Sequence, residues 1–192
     1  IRVNINQSTG EISIQNNGDG IDAKLSKKHN MFPLQMIFGV LLTSTNYNKD
    51  EQKVVGGKNG YGAKLTNIYS TKFSVESVDR IRKKLVRIDW HDNFKMKGEP
   101  VVVSYKKEPY TKITFIPDFK RFKIDGLSDD MVALMTKRVY DASAWTDNSV
   151  SVYLNGKIIK TKEFKDYVDL YLGEKTVYPR IHEKLNSRWE VV

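Results

Sequence analysis

From its first residue the chain alternates apolar and polar positions. Ile1–Ile5 (IRVNI) and Glu11–Gln15 (EISIQ) both do so, with Ser8, Thr9 and Gly10 between them, which predicts a β-hairpin. Asn16–Ile21 (NNGDGI) cannot continue a strand. Two glycines two apart among short polar residues predict a tight loop with positive φ available. Met31–Leu42 (MFPLQMIFGVLL) is apolar on more than one helical face and predicts a largely buried helix starting near Pro33. A hydroxyl-rich turn at residues 43–46 and a charged loop at residues 47–55 follow. Gly56–Gly62 then holds four glycines in seven residues, and Ala63–Tyr69 (AKLTNIY) predicts a helix that begins where the glycines stop.

Phe73–Val78, Lys84–Trp90, Val101–Tyr105 and Thr111–Ile116 alternate or are β-branched, with charged or Gly/Pro turns between them. This spacing predicts a mostly antiparallel sheet. Ser128 and two aspartates cap a helix over Met131–Ala144, where apolar residues recur at helical spacing. Val150–Leu154 and Lys157–Ile159 flank Asn155-Gly156, a strong hairpin signal. A last helix covers Glu163–Leu172 and stops at Gly173.

Composition narrows the chemistry. No apolar run among the 192 residues approaches the ~18 that a membrane span needs, so no membrane partner is expected. There is no Cys, and the three His stand at no metal-ligand spacing. A Cys-based zinc site or nucleophile and a His-rich catalytic metal centre are thereby excluded. The net charge of +9 permits nucleic acid as a partner, although the basic residues are spread along the chain with acids nearby. Salt-sensitive, sequence-independent association with DNA is therefore an expectation. The strand-like first residues and the closing WEVV read as a piece of a longer polypeptide.

Gly56–Lys64 is the most informative stretch. Consecutive glycines let the main chain approach a ligand and turn its N–H groups inward. A helix beginning just after adds its positive end, and Lys58 and Lys64 add charge, which together suit an anion and most naturally phosphates. The Walker A pattern fails, because Lys64 is followed by Leu65 and no Ser/Thr stands ready for magnesium; the dinucleotide fingerprint G-x-G-x-x-G fails too. A flexible surface loop remains the competing reading of this stretch. Asn16, Gly18 and Gly20 read either as an ordinary turn or as a loop whose short polar side chain meets the edge of a flat base. The polar turn reads either as a helix end or as hydroxyl and amide donors to ribose and phosphate oxygens.

Taken together, ISIQNNGDGI, MIFGVLLTSTNY, VVGGKNGYGAKLTNIYSTKF, DDMVALMTKRVYD, VYLNGK and IHEKLNSRWEV resemble the ATPase region of type IIA DNA topoisomerases of the eukaryotic and viral type. These belong to the gyrase–Hsp90–histidine kinase–MutL ATPases with the Bergerat fold. The resemblance implies an α+β fold, a mixed, mostly antiparallel sheet with helices on one face. A nucleotide-binding domain would occupy residues 1–160 and the start of a transducer domain residues 161–192. It implies ATP and Mg2+ as cofactors, double-stranded DNA as substrate, and a homodimer whose gate closes on ATP binding. Asn16 takes the position of the adenine contact, Gly18 and Gly20 shape its loop, and Phe38 resembles a wall of the nucleotide pocket. Ser44, Thr45 and Asn46 resemble ribose and phosphate contacts. Gly57, Lys58, Asn59, Gly60, Tyr61, Gly62, Ala63 and Lys64 resemble the lid loop around the phosphates.

Lys58 stands where Arg is common, which keeps charge but loses forked geometry. Thr45 replaces a usual Ser, Asp22 stands where Pro is familiar, and Asp19 places a negative charge near a polyphosphate site. In the family the general base is a Glu and magnesium is held by an Asn, both on a helix before the first hairpin. No residue here is assigned either role, and negligible ATP hydrolysis is expected of these residues alone. A different ATPase of the same superfamily, of chaperone or mismatch-repair type, and a basic nucleic-acid-binding module without a nucleotide site remain the alternatives. The family's location would be the nucleus for a cellular protein, and the host cytoplasm or nucleus for a viral one.

Overall fold

The computed structural model describes residues 1–41, 43, 57, 59–173, 176–186 and 189–192. The chain groups into two compact units, residues 4–127 and residues 1–3 with 128–192. Among the described residues no helix is long and apolar enough to cross a membrane.

In the unit of residues 4–127, β2 (Ile12–Asn16), β3 (Ser70–Asp79), β4 (Lys84–His91) and β7 (Thr111–Pro117) form an antiparallel sheet in the order β4-β3-β7-β2. Two short strands, β5 (Met96–Lys97) and β6 (Val101–Ser104), pair with opposite ends of β4. The two-residue period aims Val86, Ile88 and Trp90 of β4 to one side, with Arg87, Asp89 and His91 on the other. Register sets Phe73 opposite Trp90 and Phe115, and Val75 opposite Ile88 and Ile113. These side chains form the core with Leu34 and Phe38. Phe73 lies at its centre, edge-on to Trp90 at 5.9 Å and 6.3 Å from both Phe38 and Phe115. Such aromatic pairs contribute about 0.5–1.5 kcal/mol each beyond their buried area.

Two short helices border this core. In α1 (Pro33–Gly39), Pro33 needs no N–H partner at the first turn, and the Gln35 side chain accepts the Phe32 N–H at 2.9 Å. The apolar pattern predicts a helix reaching Leu42, but the helix ends at Gly39 and Val40 is extended. At Gly39 the backbone runs against the Trp90 ring, which would lie 3.3 Å from an added Cβ. The second helix, α2, spans Gly62–Ile68. Strand β5 is absent from the pattern-based reading. It arises because Asp92, Asn93 and Phe94 all adopt positive φ and turn the chain back onto β4.

The other unit contains β1 (Arg2–Ile5) through its first residues, with β8 (Tyr153–Leu154) parallel to it and β9 (Lys157–Ile158) completing a hairpin. Asn155 and Gly156 turn that hairpin with φ of 46° and 78°. Helix α3 (Asp129–Trp145) starts on Ser128, whose Oγ accepts the Met131 N–H at 3.3 Å, and Asp129 and Asp130 favour its positive end. Val139, Val152 and Ile159 form the core here. The buried Asp141 carboxylate accepts Lys137 and Arg138 at 3.0 Å and the Tyr167 hydroxyl of α4 (Phe164–Leu172), which ties the two helices together. A short antiparallel pair, β10 (Glu183–Lys184) and β11 (Glu190–Val191), follows.

The loop after β2 is fastened to the far end of β3. Gly20 has φ +78°, and a Cβ there would stand 1.8 Å from the Val78 carbonyl oxygen. The Ile21 N–H donates to Ser77 Oγ at 2.9 Å, and the Ala23 N–H to Asp79 Oδ2 at 2.9 Å. Asp79 Oδ1 also accepts the Ile81 and Arg82 N–H groups, and Arg82 donates from its guanidinium at 3.0 Å. Burial pushes the Asp79 carboxyl up. The three backbone N–H groups and Arg82 outweigh it and hold the pKa at about 2.

Two outcomes follow from this fastening. Gly20→Ala clashes with backbone and takes on a strained φ, so a loss of about 2–4 kcal/mol is expected in urea denaturation. The folded pKa of Asp79 lies below the unfolded value, so its contribution is full above the ordinary carboxylate range and lost as pH falls towards 2. It amounts to about 2 kcal/mol. Stability measured from pH 5 to pH 2 should fall less steeply in Asp79→Asn than in the parent chain.

Candidate functional site

The glycine-rich segment leads directly into α2. Gly60 has φ +68°, a conformation that a β-branched residue adopts only under strain. An added Cβ at Gly57 or Gly62 would meet no atom of the described residues within 4 Å. Tyr61 makes no side-chain cap, and the Leu65 N–H to Tyr61 carbonyl bond of 2.8 Å starts the helical ladder. The first-turn N–H groups of a helix have no intrahelical acceptor, and no acidic residue stands in this turn.

The buried side of α2 is polar. Lys64 is 4% exposed and Asn67 fully buried, whereas Leu65 is exposed. Spacing of three residues puts Lys64 and Asn67 on one face. Lys64 Nζ donates to Thr43 Oγ1 at 2.8 Å, and Thr43 in turn lies 3.1 Å from the Val40 carbonyl and 3.3 Å from that of Met36. The hydroxyl therefore accepts from the ammonium and donates to the carbonyls at the end of α1. Among the described residues no carboxylate is bonded to Lys64, and burial lowers its pKa. Asn67 Nδ2 donates to the Phe38 carbonyl at 3.3 Å, while its Oδ1 is buried without a partner among the described residues. A buried ammonium without a counter-charge is costly, and its natural complement is an anion.

Asn16 is exposed at the end of β2, and its Oδ1 accepts the Gly18 N–H at 3.1 Å, so the side chain makes an Asx turn. Asp19 is paired with Arg80 at 3.0 Å and Asp22 with Arg82 at 2.9 Å, so neither carboxylate stands uncompensated. Phe38 packs in the core, its ring against Phe73 and its carbonyl on Asn67. Ile21, Ala23, Phe38 and Ala63 all touch one apolar cluster, so the segment that follows the Asn16–Gly20 loop and the start of α2 share a floor. Asn59, Gly60, Tyr61, Gly62 and Ala63 lie in and just before the first turn of α2. Ser44, Thr45, Asn46 and Lys58 lie outside the described residues.

Sequence reasoning placed Thr43 only within the hydroxyl-rich turn of residues 43–46, and it missed Asn67, Ser77 and Asp79 as members of this arrangement. A signal for the last two existed. On β3 the side that begins Phe73, Val75 continues Ser77, Asp79, so polar residues occupy core-facing positions.

No family model matches the chain. Among curated proteins it is 50% identical over 192 residues to DNA topoisomerase 2 of Acanthamoeba polyphaga mimivirus and 47% identical over 197 residues to DNA topoisomerase 2 of Bombyx mori. The whole chain is covered in each case, but only 15% and 13% of those proteins. Among solved structures it is similar to the ATPase region of Saccharomyces cerevisiae topoisomerase II, at TM-score 0.92 and 44% identity, covering 99% of this chain and 50% of that one. The chain thus spans a minor part of the curated relatives it matches and half of that structure. Across its whole length it belongs to the type II DNA topoisomerases, within the stretch that defines their ATPase region.

Proposed function

We propose that this chain forms part of an ATP site, with the triphosphate held between the glycine-rich segment and Lys64. The observation that carries this reading is the buried Lys64 ammonium, bonded to a neutral hydroxyl and borne by the helix that the glycine-rich segment leads into. A triphosphate supplies the opposite charge, and charge-assisted hydrogen bonds are about twice as strong as neutral ones. Gly57, Asn59, Gly60, Tyr61, Gly62 and Ala63 supply backbone N–H groups, with Lys58 a second cation. Asn16 meets the adenine from the loop shaped by Gly18 and Gly20, and Phe38 backs the pocket from the core. Ser44, Thr45 and Asn46 contact ribose and phosphate.

Magnesium binds mainly through phosphate oxygens, water and one or two protein ligands. Among the described residues no three His, Asp or Glu gather to hold a metal. Mg2+ would therefore enter with the nucleotide, where it neutralises phosphate charge. In the whole protein, ATP binding would close a homodimer, and hydrolysis would be coupled to passage of one DNA duplex through another. Residues from about 161 would begin the transducer domain. Nuclear residence, or the host cytoplasm or nucleus for a viral protein, fits a DNA substrate. The chaperone and mismatch-repair readings are not favoured, since the relatives are named as topoisomerases.

Titration with a fluorescent non-hydrolysable ATP analogue tests this reading. Gly60→Val should weaken binding at least tenfold, with circular dichroism unchanged. Lys64→Met should cost about 1.5–3 kcal/mol, roughly ten- to a hundredfold. The exposed control Lys72→Met should bind as the parent does. Unchanged affinity in both site variants would overturn the assignment.

A further inference from the structure

The turn between β3 and β4 and the segment after β6 meet at one end of the sheet. The Tyr105 N–H donates to the Lys83 carbonyl at 2.7 Å, and Lys84 pairs in register with Ser104. This places Lys83 and Lys84 beside Lys106 and Lys107, all exposed. Ile81 at the turn is 86% exposed, so the tip projects into solvent.

The tip is held by hydrogen bonds to its backbone. Asp79 accepts the Ile81 and Arg82 N–H groups, the Lys83 N–H donates to the Asp79 carbonyl at 2.9 Å, and the Arg80 N–H donates to the Asp19 carbonyl at 3.1 Å. Charge is segregated within it. Asp19, Asp22 and Asp79 are each held by Arg80 or Arg82. Among the described residues no carboxylate is bonded to the four lysines, and Glu108 is the one acid in the segment that follows. The arginines, which could read base edges bidentately, are engaged. The lysines are point charges suited to phosphate oxygens whatever the sequence.

We propose that Lys83, Lys84, Lys106 and Lys107 form a contact surface for the phosphate backbone of duplex DNA, without base readout. The proposal rests on the reading above only for the identity of the polyanion.

Each phosphate neutralised contributes about 0.9 to the slope of log K against log salt on B-form DNA. The test is fluorescence anisotropy of a labelled 30-base-pair duplex with the 192-residue chain, from 25 to 200 mM salt. The variant carries Lys83→Gln, Lys84→Gln, Lys106→Gln and Lys107→Gln. A charge-matched control carries Lys97→Gln, Lys120→Gln, Lys123→Gln and Lys157→Gln, and thermal melts report folding of both. The tip variant should flatten the slope by roughly 3 to 4, equally for two unrelated duplex sequences, and the control by less than 1. Equal flattening in both variants, or an unchanged slope in the tip variant, overturns the proposal. So does loss of binding to phosphatidylserine vesicles in the tip variant while duplex binding persists. If the parent chain binds no duplex, the DNA reading falls with the proposal, and ATP-analogue affinity in the same samples reports the nucleotide site separately. Should the fourfold variant melt early, Lys106→Gln with Lys107→Gln, outside the strands, should still flatten the slope by roughly 2.

Discussion

One face of strand β3 carries Phe73, Val75, Ser77 and Asp79, and the unit of residues 4–127 is organised along it. The first two side chains are the centre of the apolar core, opposite Trp90 and Ile88. The last two continue the same line as hydrogen-bond acceptors, and the loop after β2 hangs on them through the Ile21 and Ala23 N–H groups. A hydrophobic pair at the Ser77 and Asp79 positions would leave those N–H groups unpaired. Buried donors without partners cost about 1–3 kcal/mol each. The polar half of the strand thus sets the path of the Asn16–Gly20 loop, while the apolar half fixes the strand itself.

Helix α2 shows the same division in reverse. A seven-residue helix is too short to be stable alone and relies on packing. Yet its buried residues are Lys64 and Asn67, and Leu65 faces outward. Stability alone would favour an apolar residue at the Lys64 position, because desolvating an ammonium opposes folding. The Thr43 hydroxyl and the carbonyl end of α1 offset part of that cost. What remains is a buried cation in the helix that the glycine-rich segment leads into. On the proposed reading, a bound anion would recover the energy that folding gave up.

Much of the fold was legible because its signals are local. Alternation marked β3, β4 and β7, Asn155-Gly156 marked its hairpin, and Ser128 marked the start of α3. The failures share a cause in distant contacts. Helix α1 ends at Gly39, where the backbone runs against the ring of Trp90, some fifty residues on, and β5 exists because three non-glycine residues take positive φ beside that same ring. The parallel pairing of β1 with β8 joins Arg2 to Tyr153, beyond the reach of any local pattern. In the candidate site, the glycine segment and Lys64 stood out by composition. The burial of Lys64 and the part played by Thr43, Asn67 and Asp79 depend on how helices and strands meet. The concern that Asp19 would repel a polyphosphate also dissolves only in three dimensions, where Arg80 neutralises it.

The central claim is that Lys64 is a buried cation waiting for phosphate. Direct observation of its ammonium by NMR, in the chain labelled with 15N-lysine, addresses that claim without reliance on turnover. Addition of a non-hydrolysable ATP analogue with Mg2+ should shift the Lys64 Nζ resonance and slow exchange of its protons, as the neutral Thr43 contact gives way to a charged one. A Lys64 resonance that stays unchanged at saturating analogue, while other residues of the chain respond, would contradict the account.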